Sequence, residues 1–262
     1  MLDEPRSGRL TAWGNALLAG LAAPDDVAQR IVAGDAVHRV AGLPGEDGPV
    51  GLTLGLGRLR ALGVTGLRLA LPVAGHPLGL SGPPAFNDLA LEAGEAVLTV
   101  GARALGLVPE VFEAGPRGDV HVEVEWRCHE VRAAPPADVP SLGEAERELA
   151  EALRDATAAL SALDVAGGGP TAHAALEAYR ARAARGREVL APGYPPRAVR
   201  VLELAQRVAA LVGIAGDGHG GAFSASQIAA RAELLRPVER TARRAQVAAY
   251  NAYVEEAERR RP

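Results

Sequence analysis

Residues 133–140, AAPPADVP, divide the chain into two parts written in different patterns, and no other stretch constrains the fold as much. Before the break, apolar residues often alternate with polar ones, as in half-buried strands. Beyond it they recur every three or four positions, as on the inner face of helices. A proline-rich stretch between two such patterns reads as a linker. The expected fold is therefore α+β: a mixed β-sheet domain with flanking helices over 1–134, followed by an Ala/Arg-rich antiparallel helical bundle over 141–262. Charge follows the same division. Residues 1–140 hold 11 Arg against 17 Asp and Glu, giving −6, and residues 141–262 hold 17 against 15, giving +2.

Within the first part, Leu10, Trp13, Leu17 and Leu21 share a helical face, and Pro24, Asp25 and Asp26 suit the first turn of a second helix that stops near Gly34. Ala36–Ala41 reads as a short strand and Val50–Leu62 as a glycine-weakened helix. Leu67, Leu69, Leu71 and Val73 then alternate as a strand does, which suggests a parallel β-α-β crossover. Strands are expected over Glu95–Gly101, Leu105–Glu113 and Val120–Val131, in a largely antiparallel succession. The last is the clearest. Val120, Val122, Val124, Trp126 and Cys128 face the core, and His121, Glu123, Glu125, Arg127 and His129 face the other way.

In the second part, Ser141 and Glu144 form an S-x-x-E capping box that opens a helix running to about Leu163. Thr171 to about Leu190 and Ala198–Ile214 read as further helices, the latter with Val201, Leu204, Val208 and Leu211 inward. Ser224 and Gln227 make a second capping box, opening a last helix that Pro237 should kink. Leu235, Val238, Ala242, Ala245, Ala249 and Ala252 line that helix as a seam for close helix–helix approach, which makes it a candidate homodimer face.

Chemistry is limited first by what is missing. The chain contains no lysine, which excludes Schiff-base chemistry and the lysine of a phosphate-binding P-loop. Its one cysteine, Cys128, excludes an intrachain disulfide and suits a reducing compartment, so a cytoplasmic location is expected. No uninterrupted apolar run approaches the roughly 18 residues of a membrane span, so no membrane partner is expected. Aromatic residues make up 3% of the chain, too few for stacking single-stranded nucleic acid.

Two loops hold the candidate groups. The stretch 74–88 offers His76 as an acid or base, Asn87 or Asp88 to orient it, and Ser81 for ligand binding, with glycines that permit close backbone approach. In DGHGG, Asp217 and His219 precede the last helix, where backbone amides can bind an anion. His121 and Glu123 point the same way, but His129 lies eight residues on, roughly 27 Å at about 3.4 Å per residue, so no metal site is assigned. No cofactor motif is present. This pattern favours a non-enzymatic cytoplasmic protein that binds a protein partner or a second copy of itself. The alternatives are an enzyme or sensor taking a small molecule in the 74–88 loop, or a polyanion binder. The polyanion reading rests on Arg236, Arg240, Arg243 and Arg244 with Arg180, Arg182, Arg185 and Arg187, and it conflicts with the acidic net charge.

Overall fold

The computed structural model describes residues 4–116, 120–133, 135–162, 190–217 and 225–260. These form an α+β protein with a six-stranded mixed sheet and, among the described residues, seven helices. The chain divides into two compact units. One comprises Glu4–Val139 together with Leu190–Pro195 and Tyr250–Pro262, so both a short internal segment and the C-terminus return to the N-terminal part.

In this unit α1 (Arg6–Leu18) and α2 (Pro24–Val32) come first, the latter opening on Pro24 with Asp25 and Asp26 in its first turn. They precede β1 (Val37–Ala41), the two-residue β2 (Val50–Gly51), α3 (Leu52–Ala61) and β3 (Val64–Ala70). Next come α4 (Pro84–Ala93), β4 (Ala96–Gly101), β5 (Leu105–Ala114) and β6 (His121–Glu130). The strand order is β2-β1-β6-β5-β4-β3. From β3 to β6 the strands form an antiparallel meander, and β1 joins β6 in parallel.

That order corrects the expected parallel β-α-β crossover. Strands β1 and β3 are not neighbours, because β6, β5 and β4 lie between them, and the succession of pairings makes the two run antiparallel. The crossover rule presumes adjacent strands, and here the last strand of the meander takes the place beside β1. The strand also begins earlier than the leucine alternation suggested and ends at Ala70, before Pro72, which has no N–H for a ladder.

One face of the sheet carries α1 and α3, with α2 packed on both helices. Leu10, Trp13, Ile31, Leu56, Leu59, Leu67, Leu69 and Trp126 are buried there, each large side chain contributing roughly 2 kcal/mol of apolar burial. Leu17 is only half-buried, and Leu21, past the end of α1, is exposed. The opposite face has a smaller core of its own, in which Phe86 and Ala90 of α4 cover Ala70, Leu98 and Val108. Helix α4 begins inside the stretch expected to be a loop. Pro84 sits at its first turn, where a missing N–H costs nothing, and Gly94 ends it in a left-handed conformation at φ 72°. The polar face of β6 is therefore partly roofed, with the Phe86 and His129 rings 6.0 Å apart.

The second unit contains α5 (Leu142–Ala162), α6 (Pro196–Asp217) and α7 (Ala225–Arg259) up to Ala249. The capping box forms as expected. The Ser141 N–H donates to Glu144 Oε2 at 2.9 Å, and the Glu144 N–H donates to Ser141 Oγ at 3.3 Å. Helices α5 and α6 pack together, tied by Arg197 to Glu146, and Arg244 of α7 reaches Glu148 of α5. Val201 and Val208 are buried, Leu204 is half-buried, and Leu211 is exposed. Helix α7 runs through Pro237 without a break. The helix expected from Thr171 to about Leu190 (as far as residue 189), the Ser224 cap and the second arginine stretch lie outside the described residues.

Candidate functional site

The edge strand β3 and the interior strand β5, which outruns its β4 neighbour, are treated differently. At β3 the outward N–H and C=O of Leu67 bond the side-chain amide of Asn15, at 2.7 and 3.0 Å. Those of Leu69 bond Asn251 at the same two distances. A carboxamide presents one donor and one acceptor side by side, so each asparagine replaces one residue of a missing neighbouring strand. The last turns of α7 thus run along β3. Gly66 permits the approach, since a Cβ there would lie 2.9 Å from Val254. Arg68 closes the contact through Glu258, at 2.8 and 2.7 Å to its two oxygens. Tyr194 stands behind it, donating to the Tyr250 carbonyl at 2.9 Å and accepting from Asn15 Nδ2 at 3.4 Å.

Among the described residues, no strand pairs with β5 on its β4 side beyond Leu107. Strand β5 pairs with β6 along its whole length, from Leu105↔Glu130 to Ala114↔His121, but meets β4 only at Gly106 and Leu107. The Leu105 N–H points to the β4 side, where it donates to Thr99 Oγ1 at 2.8 Å. Two-residue alternation along a regular ladder carries the N–H groups of Val111 and Glu113 to that same side. Pro109, which has no N–H, also falls on it. Residues 110–116 are exposed, with Val111 and Phe112 at 41% and 48% and Val120 across the hairpin at 51%. The outer part of β5 carries exposed apolar side chains, Val111 and Phe112, next to the exposed Glu110 and Glu113.

A cavity of about 160 Å³ lies on the α4 face, where Arg68 of β3, Leu98 and Val100 of β4, Ser81 of the preceding loop, and Val131 and Arg132 after β6 meet. Its polar groups are two arginines and a hydroxyl. Thr99, also at its wall, is already engaged, donating to the Arg103 carbonyl at 2.8 Å while it accepts from Leu105.

A buried polar cluster sits on the other face. Trp126 Nε1–H donates to His38 Nδ1 at 3.3 Å, which leaves the His38 proton on Nε2, 2.9 Å from Asp35 Oδ2. Arg6 holds both Asp35 oxygens at 2.9 Å, and Arg9 adds a third contact. Burial keeps the His38 pKa below its ordinary value despite Asp35. Burial raises that of Asp35, but the hydrogen bonds from Arg6 and His38 and the two arginine charges bring it below the usual carboxylate value. The arrangement joins an Asp–His pair to two arginines and a tryptophan, and it ties α1 to β1 and β6.

The sequence candidates are scattered. Ser81 lines the cavity. His76 lies in a tight turn, its N–H and C=O bonded to Val73, and Asn87 and Asp88 lie on α4. None of these three lines the cavity. Asp217 ends α6, and His219 is outside the described residues. Cys128 is buried, and desolvation with the nearby Glu130 charge pushes its thiol up to about 11, so it stays protonated. Of the α7 arginines, Arg236 pairs with Glu233 at 2.7 Å, Arg243 with Glu239 at 3.6 Å and Arg244 with Glu148 at 3.2 Å. Among the described residues no three His, Cys, Asp or Glu side chains gather as metal ligands, and no helix is long and apolar enough to cross a membrane. The alanine seam of α7 is buried within the chain, from Leu235 to Ala252. It offers no free face to a second copy. Residues that sequence reasoning missed are Asn15, Asn251, Arg68 and Arg132. A lone amide on an apolar helical face was the one available signal, for the two asparagines.

These features define an α+β protein whose sheet has one edge strand, β3, sealed by side-chain amides and one interior strand, β5, that outruns its β4 neighbour. The chain belongs to the Rv1486c-like protein family, matching its N-terminal domain over residues 7–140 and its C-terminal domain over 143–247. It is 33% identical to the uncharacterized protein Rv1486c of Mycobacterium tuberculosis, over 95% of this chain and 96% of that one. It is 32% identical to the uncharacterized protein ML1804 of Mycobacterium leprae, over 95% and 97%. No solved structure matches the chain.

Proposed function

We propose that the protein is a non-enzymatic cytoplasmic binding protein whose docking element is the open edge of β5, and that the occupant of this edge is a second copy of the chain. The observation that carries this reading is the contrast between β3 and β5. Asn15 and Asn251 seal β3, whereas Val111 and Glu113 of β5 have no partner strand on the β4 side among the described residues. An unsealed edge with apolar side chains is a template for strand pairing.

The residue pattern favours self-pairing. Only odd-numbered residues of this stretch turn their backbone groups outward, so an antiparallel two-fold pairing places odd opposite odd and even opposite even. Glu110 then never faces Glu113. Either Val111 stands opposite its own copy, with Glu110 beside Phe112, or Phe112 does, with Glu110 beside Ala114. Both registers form about four backbone hydrogen bonds between the copies. The helices α5, α6 and α7 are read as an antiparallel bundle attached to the unit that carries β5, supported by the ion pairs of α5 with α6 and α7. Catalysis through His76 with Asn87 or Asp88 has less support, since none of the three lines the cavity beside Arg68.

Cross-linking tests the reading. In Val111→Cys or Phe112→Cys, whichever residue stands on the two-fold axis, mild oxidation should give a covalent dimer. Cys128, buried and protonated, should not compete. Failure of both variants to cross-link would remove the β5 edge as the docking element.

A further inference from the structure

The cavity between β3, β4 and the 131–136 segment has features that strand docking does not use. Arg68 lines it, and its Nε is buried with no hydrogen-bond partner, while Nη2 is committed to Glu258. A buried guanidinium N–H without an acceptor is costly, and a ligand oxygen is the natural way to satisfy it. Arg132 lines the same space and is exposed, and the Ser81 hydroxyl adds a neutral donor. Apart from Thr99, whose hydroxyl is already engaged, the side chains of the remaining wall are apolar, chiefly Leu98, Val100, Val131 and Pro136.

We propose that this cavity binds a small aliphatic carboxylate, its oxygens toward Arg68 and Arg132 and its short chain against the apolar wall. The charge count selects a monoanion. Glu258 balances Arg68, so the site retains the single positive charge of Arg132. The fork of a guanidinium matches a carboxylate, and a dianion would leave one charge unmatched beside Leu98 and Val131. The volume of about 160 Å³ is room enough for a short aliphatic chain.

The test is an NMR titration of the full-length protein with sodium butyrate, following the amides of Gly79 and Gly101 at the cavity wall, with inorganic phosphate and sodium chloride as comparators. Saturating shifts are expected, with a Kd on the order of 1 mM for so small a ligand. Arg132→Ala, a surface change that leaves the fold intact, should weaken binding about tenfold. Three outcomes overturn the proposal: no saturation by about 50 mM butyrate, equal binding by Arg132→Ala, or phosphate binding more tightly than butyrate. Strand docking at β5 stands or falls separately, because no residue of 109–114 lines the cavity.

Discussion

Asn251 and Leu69 lie 182 residues apart, yet the Asn251 side chain holds both backbone groups of Leu69, accepting from its N–H at 2.7 Å and donating to its C=O at 3.0 Å. The contact joins the end of the last helix to the edge of the sheet inside one compact unit. Asn251→Ala strands a buried donor and a buried acceptor, which should cost about 2–4 kcal/mol. Thr65→Ala on the same strand, losing an exposed bond to Val100, should cost under about 0.5 kcal/mol. Urea denaturation midpoints for the two variants check the difference.

Acid should destabilise the fold through His38. Its native pKa lies below the ordinary 6.5, chiefly because it is buried. As pH falls through 6.5 the unfolded chain takes up a proton that the native state refuses, so stability present at neutral pH is lost on that descent. Asp35, held below 3.8 by Arg6 and His38 against the upward effect of burial, withdraws its own contribution only at still lower pH. The melting temperature of the wild type should be lower at pH 5.5 than at pH 7.5. His38→Gln should shrink that gap, leaving the smaller part due to His129, which burial also shifts down. An unchanged gap would remove His38 as the cause.

Gly106 of β5 exists to admit Phe86. A Cβ at that position would run into the edge of the Phe86 ring and press on Val131. Gly106→Ala should cost about 1–3 kcal/mol by overpacking. Phe86→Leu in the same chain should recover part of it, so the double mutant is less destabilised than the sum of the singles. Thermal denaturation of the four proteins measures the coupling.

Features legible in the sequence were local ones. The Ser141–Glu144 box and Pro24 at the head of α2 depend on residues within a few positions and form, and the two faces of β6 hold from Val124 to Cys128, whereas Val120, expected in the core, is exposed and Val122 is half-buried. Helix α4 was hidden because Gly82, Pro83 and Pro84 read as loop, although Phe86 and Ala90 have helical spacing and Gly94 marks its end. Strand order could not be read, since β1 pairs with a strand more than eighty residues away and nothing local encodes it. The loop 74–88 yielded Ser81 for the cavity but not its arginines, because Arg68 looked like one more charge in an alternating strand. Asn15 and Asn251 acquire meaning only once the helices carrying them are brought to one strand edge.

The β5 edge is tested most directly by sedimentation equilibrium of the wild type and of Val111→Pro across roughly 1–100 µM, the range in which a short strand-edge contact should dissociate. Proline at 111 removes an outward N–H and leaves the β5–β6 ladder whole, so the monomer should keep its melting temperature. The wild type is expected to approach twice the chain mass of 27.0 kDa with rising concentration, and Val111→Pro to stay at 27.0 kDa throughout. A wild type that remains monomeric over the whole range, or a proline variant that dimerises equally well, would contradict docking through β5.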